Sequence, residues 1–201
     1  MYSLKDLEKK FSEIDSKRDY YMGAYLSEAQ SRSRDTIISK GPLYNSRPYE
    51  SERAGFKRGK RLKKIPASIK NTHVYHLDEC ARILFVEIYG QSENIINKEF
   101  YRYSDECVER TYFISTGKLR NVSVSLLEGD TVVRDLNWGD YGCSDSSYIY
   151  DGYLLDKVIV QQKEHLASCF NNFETRFEYG DEGLLRIINV FSNGYEEKRF
   201  P

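Results

Sequence analysis

The sequence lacks most of the features from which catalytic or membrane functions are inferred. No apolar run approaches the ~18 residues of a membrane-spanning helix. The chain contains no G-x-S-x-G, no H-E-x-x-H and no glycine-rich phosphate-binding motif. Its start, "MYSLKDLEKK", lacks the basic and apolar regions of a secretory signal. We therefore expect a cytoplasmic protein without membrane contact, catalytic residues, metal, cofactor or small-molecule substrate.

Cysteine is also sparse, and its spacing excludes two common uses. The four cysteines lie 27, 36 and 26 residues apart at Cys80, Cys107, Cys143 and Cys169, with no C-x-x-C pair. A chain of 201 residues with so few cysteines does not resemble a small disulfide scaffold. We expect reduced thiols that are mostly buried, as free cysteines usually are.

What is abundant is tyrosine and charge. Seventeen tyrosines against four prolines favour half-buried strands over a helical bundle. The net charge of −1 conceals a division, because residues 1–77 hold 17 Lys/Arg and 9 Asp/Glu while residues 78–201 hold 13 and 22. The chain is thus basic in its first part and acidic in the rest, which bears on any partner.

The hydrophobic pattern changes twice along the chain. Residues 1–38 predict an N-terminal amphipathic helix, with Ser3 as its N-cap and apolar residues at helical spacing. Residues 39–72 show no period, contain three of the four prolines, and predict a long basic connection of the kind that is usually functional or mobile. From residue 73 to 201 the period is two, which predicts antiparallel strands in sequential hairpins. The expected fold is mainly β within one compact domain: a curved meander sheet with the helix packed on one face.

The three letters Asp-Glu-Cys occur twice, at residues 78–80 and 105–107. The corresponding position in a third segment is Asp181-Glu182-Gly183, and a fourth segment has Asp151-Gly152. A position that accepts either Cys or Gly is selected for small size at a turn, so we interpret these triplets as hairpin corners. Metal binding at "HVYHLDEC" is disfavoured, because His73 and His76 differ by three and point to opposite faces of a strand. An enzyme site assembled only in space, with His73 or His76 beside Cys80, remains a third and weaker hypothesis.

Two segments are candidates for binding a partner. The segment "DLNWGDYGCSDSSYIYDGY" combines aromatic residues, typical of interfaces, with carboxylates that would steer a basic partner. Its candidate binding residues are Asp135, Trp138, Asp140, Tyr141, Asp145, Tyr148, Tyr150, Asp151 and Tyr153. The alternative interpretation is a glycine-rich loop between strands, with partly buried aromatic residues.

The second segment is basic and could contact nucleic-acid phosphates. Its residues are Lys57, Arg58, Lys60, Arg61, Lys63 and Lys64. We favour the simpler interpretation of a solvated loop, or a basic segment lying on the acidic sheet, so nucleic acid is the less expected partner.

Four segments share one order of residues: alternating aromatic and apolar positions, an acidic turn, a small residue, a base and a strand. They are "VYHLDECARIL", "FYRYSDECVERTY", "YIYDGYLLDKVIV" and "FEYGDEGLLRIINV". This pattern, over roughly residues 73–200, resembles the tyrosine-aspartate repeats of the large Rhs and wall-associated bacterial toxins. The chain is far shorter than a toxin shell, and "VYHLDECARILFVEIYGQSENIINKEFYRY" resembles the strand-rich small proteins encoded beside such toxins.

The resemblance to polymorphic-toxin immunity proteins implies a small cytosolic protein that binds a cognate toxin domain and blocks its active site, without catalysis or cofactor. The basic N-terminal third distinguishes this chain from an inhibitor that is acidic throughout. The toxin domain could be a basic nuclease, whose cleft would suit the acidic residues 135–156. The expected function is therefore non-catalytic toxin neutralisation, with nucleic-acid association through residues 56–64 as the alternative.

Overall fold

The structure, a computed structural model, describes residues 2–92 and 94–201. The helices are α1 (Leu4–Ser16), α2 (Arg18–Arg32) and α3 (Glu50–Arg53). The strands are β1 (Asp35–Lys40), β2 (Lys60–Leu62), β3 (Thr72–Leu77), β4 (Ile83–Tyr89), β5 (Ile96–Tyr103), β6 (Cys107–Phe113), β7 (Leu119–Glu128), β8 (Thr131–Gly139), β9 (Gly142–Asp151), β10 (Leu154–Glu164), β11 (Asn171–Gly180), β12 (Gly183–Phe191) and β13 (Glu196–Phe200). They form one antiparallel sheet in chain order from β3 to β13, extended past β3 by β1 and then β2. The expected fold, a mainly β curved meander with helix at its N-terminus, is confirmed.

The N-terminal helical region begins as the sequence predicts but contains two helices. Ser3 caps α1 in a reciprocal box, in which the Asp6 N–H donates to Ser3 Oγ at 3.3 Å and the Ser3 N–H donates to Asp6 Oδ2 at 3.0 Å. The chain leaves helical geometry at Lys17, and α2 then runs to Arg32. Residues 35–40 are strand β1, so the predicted helical boundary at residue 38 is wrong. The strand was missed because its apolar part is only Ile37-Ile38.

The hairpin turns alternate between two ends of the sheet, because each antiparallel strand reverses the chain. The turns β3–β4, β5–β6, β7–β8, β9–β10 and β11–β12 share one end, which we call the first end. Both Asp-Glu-Cys triplets and the Asp181-Glu182-Gly183 triplet fall at these turns, as their interpretation as hairpin corners predicts. Asp78 shows the structural role directly: its Oδ1 accepts the N–H groups of Cys80 and Arg82, each at 2.9 Å.

The outer face of the sheet packs against the two long helices. Helix α1 lies on β7, β8 and β9, and α2 lies on β3, β4 and β5. The core between them contains Leu7 and Ile14 of α1 and, from the strands, Phe113, Val124 and Leu136. This is ordinary apolar packing of an amphipathic helix on alternating strand positions.

The inner face of the same sheet is covered by residues 41–59, which we call the inner segment. Its two ends meet, because the N–H of Gly59 donates to the carbonyl of Pro42 at 2.5 Å. A Cβ atom on Gly59 would lie 2.3 Å from the carbonyl oxygen of Gly41, so glycine is required at this closure. The inner segment therefore forms a closed loop between β1 and β2.

The sheet curls around the inner segment, which touches strands far apart in the sheet. Leu43 and Tyr44 join an apolar cluster on β1, β3 and β4, and Tyr49 joins another on β8 to β12. At the far edge, Nε of Arg199 in β13 donates to the carbonyl of Arg53 at 3.0 Å. Residues 39–72 were expected to be a long connection without regular structure, but they contain α3, β2 and this packed segment.

Among the described residues, no helix combines the length and the apolar character needed to cross a lipid bilayer.

Candidate functional site

The turns at the first end carry a row of carboxylates, which we call the acidic rim. Its members are Asp105, Glu106, Glu128, Asp130, Asp151, Asp181 and Glu182. All are exposed, and none forms an ion pair within residues 2–92 and 94–201. Successive turns at this end are separated by two strands, or roughly 10 Å. This spacing is close to the screening length in physiological salt, so the fields of neighbouring turns overlap.

The nine residues predicted to bind a partner do not form one surface. Asp135, Tyr148 and Tyr150 face the inner side of the sheet, where Asp135 is 1% exposed and Tyr148 is 6% exposed. Trp138 and Asp145 lie on the outer face, where Trp138 packs against the helix-covered core. The segment does not present these residues together, because alternate strand residues point to opposite sides of the sheet.

The remaining four predicted residues lie at opposite ends of the sheet. Asp140 and Tyr141 form the β8–β9 turn, where the Lys118 Nζ donates to Asp140 Oδ2 at 2.7 Å. Asp151 and Tyr153 form the β9–β10 turn at the first end, and Tyr153 is 92% exposed. Of the nine residues, Asp151 alone is a member of the acidic rim, and Tyr153 lies beside it in the same turn.

The alternative, glycine-rich-loop interpretation of residues 135–153 also fails. The segment contains the end of β8, a two-residue turn and all of β9. Its strand pattern was hidden because the inner-facing positions Ser144 and Ser146 are polar, as are the outer-facing Asp145 and Ser147.

The basic candidate residues lie in and beside β2, which is the outermost strand at one edge of the sheet. They are Lys57, Arg58, Lys60, Arg61, Lys63 and Lys64, all of them exposed. Arg58 is fixed by donation from its Nε to the carbonyl of Leu43 at 2.8 Å. The basic run thus lies at one edge of the sheet, whereas the carboxylates of the acidic rim lie along its turns.

The middle of the inner face holds a cluster of charged residues, in which Arg110 and Asp135 are buried and Arg47, Glu50 and Glu99 are half-buried. Nη1 of Arg47 donates to Asp135 Oδ2 at 2.7 Å, and Arg47 also pairs with Glu50. Nη1 of Arg110, a residue only 4% exposed, donates to Glu50 Oε1 at 3.0 Å. The inner segment is therefore held to β6 and β8 by charged hydrogen bonds.

The environment of this cluster shifts the pKa values of its carboxyl groups in opposite directions. Burial alone would raise the pKa of Glu50, but the guanidinium groups of Arg110 and Arg47 outweigh it and hold that pKa below its usual range. Burial raises the pKa of Glu99 above its ordinary value, against the opposing effect of Arg110. The Tyr101 hydroxyl donates to Glu99 Oε2 at 2.8 Å. The cluster thus pairs its charges internally, as a structural network does.

The two histidines of β3 do not converge with each other beside the first Asp-Glu-Cys triplet, because they point to opposite sides of the sheet. His73 faces the inner side, whereas His76 faces outward and stacks on Phe85 with ring centroids 3.9 Å apart. Within the part of the chain that the structure describes, no group of three His, Cys, Asp or Glu side chains is placed to hold a metal ion. Cys80 is an exposed thiol in the β3–β4 turn.

Comparisons with protein-family models, curated proteins and solved structures give no match.

Sequence reasoning missed both the acidic rim and the cluster of charged residues. The rim could have been found, because its acids stand at every second turn of the predicted meander. The cluster could not, since Arg47 and Asp135 are separated by 88 positions and neither lies in a motif. In β7 the alternation of Ser123 and Ser125 with Val122 and Val124 predicts a solvated face, yet both serines are 1% exposed.

Proposed function

We propose that the protein is a non-catalytic binding protein that neutralises a cognate bacterial toxin domain, as polymorphic-toxin immunity proteins do. The observation that supports it is the acidic rim: exposed carboxylates without ionic partners in successive turns of one sheet end. Asp151 and Tyr153, from the segment first predicted to bind, belong to this end and are exposed.

The partner that suits this surface is basic. No nearby cation neutralises the negative electrostatic potential of carboxylates that make no internal ion pair. This potential speeds association with positively charged partners and selects for them. A nuclease toxin presents a basic cleft to its substrate, so covering that cleft with the rim would both bind and inhibit it. Turns connected by a paired sheet also supply rigid positions for the contact.

Rigidity of the scaffold supports the same proposal. The sheet is packed on one face by α1 and α2 and on the other by the inner segment, and each cover contributes apolar side chains to a core cluster. The turns at the first end are short, as in the two-residue turns Gly129-Asp130 and Gly152-Tyr153. A preorganised surface loses little conformational entropy on binding.

The test uses affinity capture from the native host with three forms of the protein as bait. The first is the wild type, and the second carries Asp130→Lys and Asp151→Lys in adjacent turns of the rim. The third carries Glu8→Lys and Glu196→Lys, which change the net charge equally at exposed positions outside the rim. The wild type and the third form should retain a basic protein that the rim variant loses.

The captured protein is then expressed alone and together with each bait. We expect it to arrest growth alone, to be neutralised by the wild type and the control, and to escape the rim variant. Growth arrest that none of the forms relieves would refute toxin neutralisation. Equal relief by all three would refute the rim as the binding surface.

A second candidate function is nucleic-acid association through Lys57, Arg58, Lys60, Arg61, Lys63 and Lys64. The observation in its favour is that these side chains are exposed and make no ion pair within the described residues. Filter binding with single- and double-stranded DNA and RNA at two salt concentrations tests it. Retention that falls steeply with salt would support it, and no retention at low salt would exclude it.

A further inference from the structure

A deep groove lies between the inner segment and the inner face of β1, β3, β4 and β5. Its volume is about 880 Å³, within the range of ligand sites in proteins. The depth of the groove is largely aromatic and aliphatic. The side chains that form it are Tyr44, Tyr75, Val86, Ile88 and Tyr101.

One polar side chain in this lining has an unmet hydrogen-bonding atom. His73 is 9% exposed, lines the groove, and its Nδ1 has no hydrogen-bond partner. Its ring stacks on Tyr75 with centroids 6.0 Å apart, which fixes its orientation. The ring therefore contributes a flat wall to the groove, while its Nδ1 is fully covered and is not itself a contact for a ligand.

The mouth of the groove is basic. Lys57 and Lys60 line it, are exposed, and have no carboxylate partner within the described residues. Phe56, beside them, is 61% exposed and offers a flat apolar surface at the entrance. Lys40 also lines the groove, but its ammonium group is occupied by the carbonyls of Ser68 and Lys70.

The acids of the groove lie at its inner end and are already engaged. Glu50 is paired with Arg47 and Arg110, and Glu99 accepts the hydroxyl hydrogen of Tyr101. An anionic group is therefore attracted to the mouth, whereas the inner end, whose charges are already paired, offers it no free cation among the described residues. This arrangement fixes the direction in which an amphiphilic anion enters.

We propose that this groove binds a small anionic amphiphile, with its acidic group at Lys57 and Lys60 and its apolar or aromatic body among the tyrosines. The ligand is bound and not transformed. The inference concerns a different face from the acidic rim and does not rest on toxin binding.

The probe for this test is 8-anilinonaphthalene-1-sulfonate, an anion with an aromatic body whose fluorescence rises in apolar surroundings. We expect saturable binding at one site per chain. The uncharged N-phenyl-1-naphthylamine, which has the same body, should bind less tightly. The pair Lys57→Glu and Lys60→Glu should weaken sulfonate binding by about tenfold and leave the uncharged probe unaffected.

The matched control is Lys63→Glu with Lys64→Glu. These residues belong to the same basic run and are exposed, but they do not line the groove. They should change the sulfonate affinity by less than about twofold, because their charges are screened from the mouth. A second variant, Ile88→Trp, fills the groove and should abolish binding of both probes.

Equal losses in the two lysine pairs would overturn the proposal in favour of general charge attraction. Binding that survives Ile88→Trp in a folded variant would place the probe elsewhere, and absence of sulfonate binding to the wild type would also overturn it. Competition experiments distinguish two kinds of natural anion that would share this chemistry, a fatty acid and a nucleotide. Displacement by laurate identifies a fatty-acid ligand, displacement by adenosine monophosphate identifies a nucleotide, and displacement by neither overturns the assignment to a biological anion of these kinds.

Discussion

Strands β5 to β8 are covered on both faces, but the side chains that pack on the two faces differ in chemistry. On the outer face, Leu136 and Val124 meet aliphatic side chains of α1. On the inner face of the same strands, Arg110 and Asp135 meet the charged side chains of the inner segment. Neighbouring residues of one strand face the two environments: Asp135 points to the charged inner face and Leu136 to the apolar outer face.

The outer and inner covers differ in what they require of the side chains that form them. Apolar packing is non-directional, so the outer cover depends on volume and shape and tolerates conservative exchange. Buried ion pairs depend on each partner, and the loss of one partner leaves a desolvated charge behind. The outer cover should therefore respond gradually to substitution, whereas the inner cover should respond to the loss of a single cation.

The largest effect is expected for Arg110→Met. This change leaves Glu50, Asp135 and Glu99 without the guanidinium group that lies within 3.0–3.8 Å of each. The free energy of unfolding should fall by about 3–5 kcal/mol in urea denaturation at pH 7. The control, Arg186→Met, removes an exposed pair with Glu178 and should cost about 1 kcal/mol or less. Similar losses in the two variants would contradict the assigned role of the cluster.

On the outer face, Leu136→Ala should cost about 2–5 kcal/mol through lost burial and the cavity left behind. Leu136 is fully buried beneath α1. Leu136→Met, which keeps the volume, should cost less than about 1.5 kcal/mol. Denaturation of both variants would measure the graded response; equal costs would show that this face is as exacting as the inner one.

His73 should make the inner face sensitive to pH. Burial lowers the pKa of His73 to about 4 from an ordinary 6.5. Between these values the unfolded chain binds a proton that the folded protein does not, so stability falls as the pH falls from 6.5 towards 4. From pH 7 to pH 4.5, the wild type should lose roughly 2–3 kcal/mol relative to His73→Phe, which keeps the ring and cannot titrate. Parallel stability curves for the two proteins would refute this contribution.

The smallest effect is expected at the start of the outer cover. Ser3→Ala removes the side-chain acceptor of the capping box of α1 and should cost about 1 kcal/mol. Ser3→Asn restores an acceptor and should recover most of the loss. Thermal unfolding followed by circular dichroism would measure both, and an unchanged Ser3→Ala variant would show that α1 is held by its apolar face alone.

The parts of the fold that the sequence predicts are those set by near neighbours in the chain. The sequential hairpins predicted from residue 73 onward are found, for example β7–β8 with its turn at Gly129-Asp130, and so is the Ser3 cap. These features depend on turn chemistry and on the alternation of apolar residues within a few positions.

The inner segment and the groove could not be predicted in the same way. Ser46 meets Tyr101 across 55 positions, and Arg53 meets Tyr148 across 95. Polar residues at alternate positions of β7 and β8 have the same pattern whether they face solvent or a cluster of charged residues. Only the curl of the sheet, which follows from the packing of all its strands, decides between the two. For the same reason, the predicted partner residues 135–153 were distributed over both faces and both ends.

The open sheet leaves two outermost strands, and each is protected against pairing with another molecule in its own way. Strand β2 has only three residues, two of which are Lys60 and Arg61, so a second chain would meet repelling charge along a very short hydrogen-bonding edge. Strand β13 is shielded by its contact with the inner segment through Arg199. The basic run thus opposes edge-to-edge aggregation at β2 by charge repulsion, whether or not a ligand also binds there. Neutralising Lys60 and Arg61 should consequently promote fibrillar self-association before it affects the stability of the monomer.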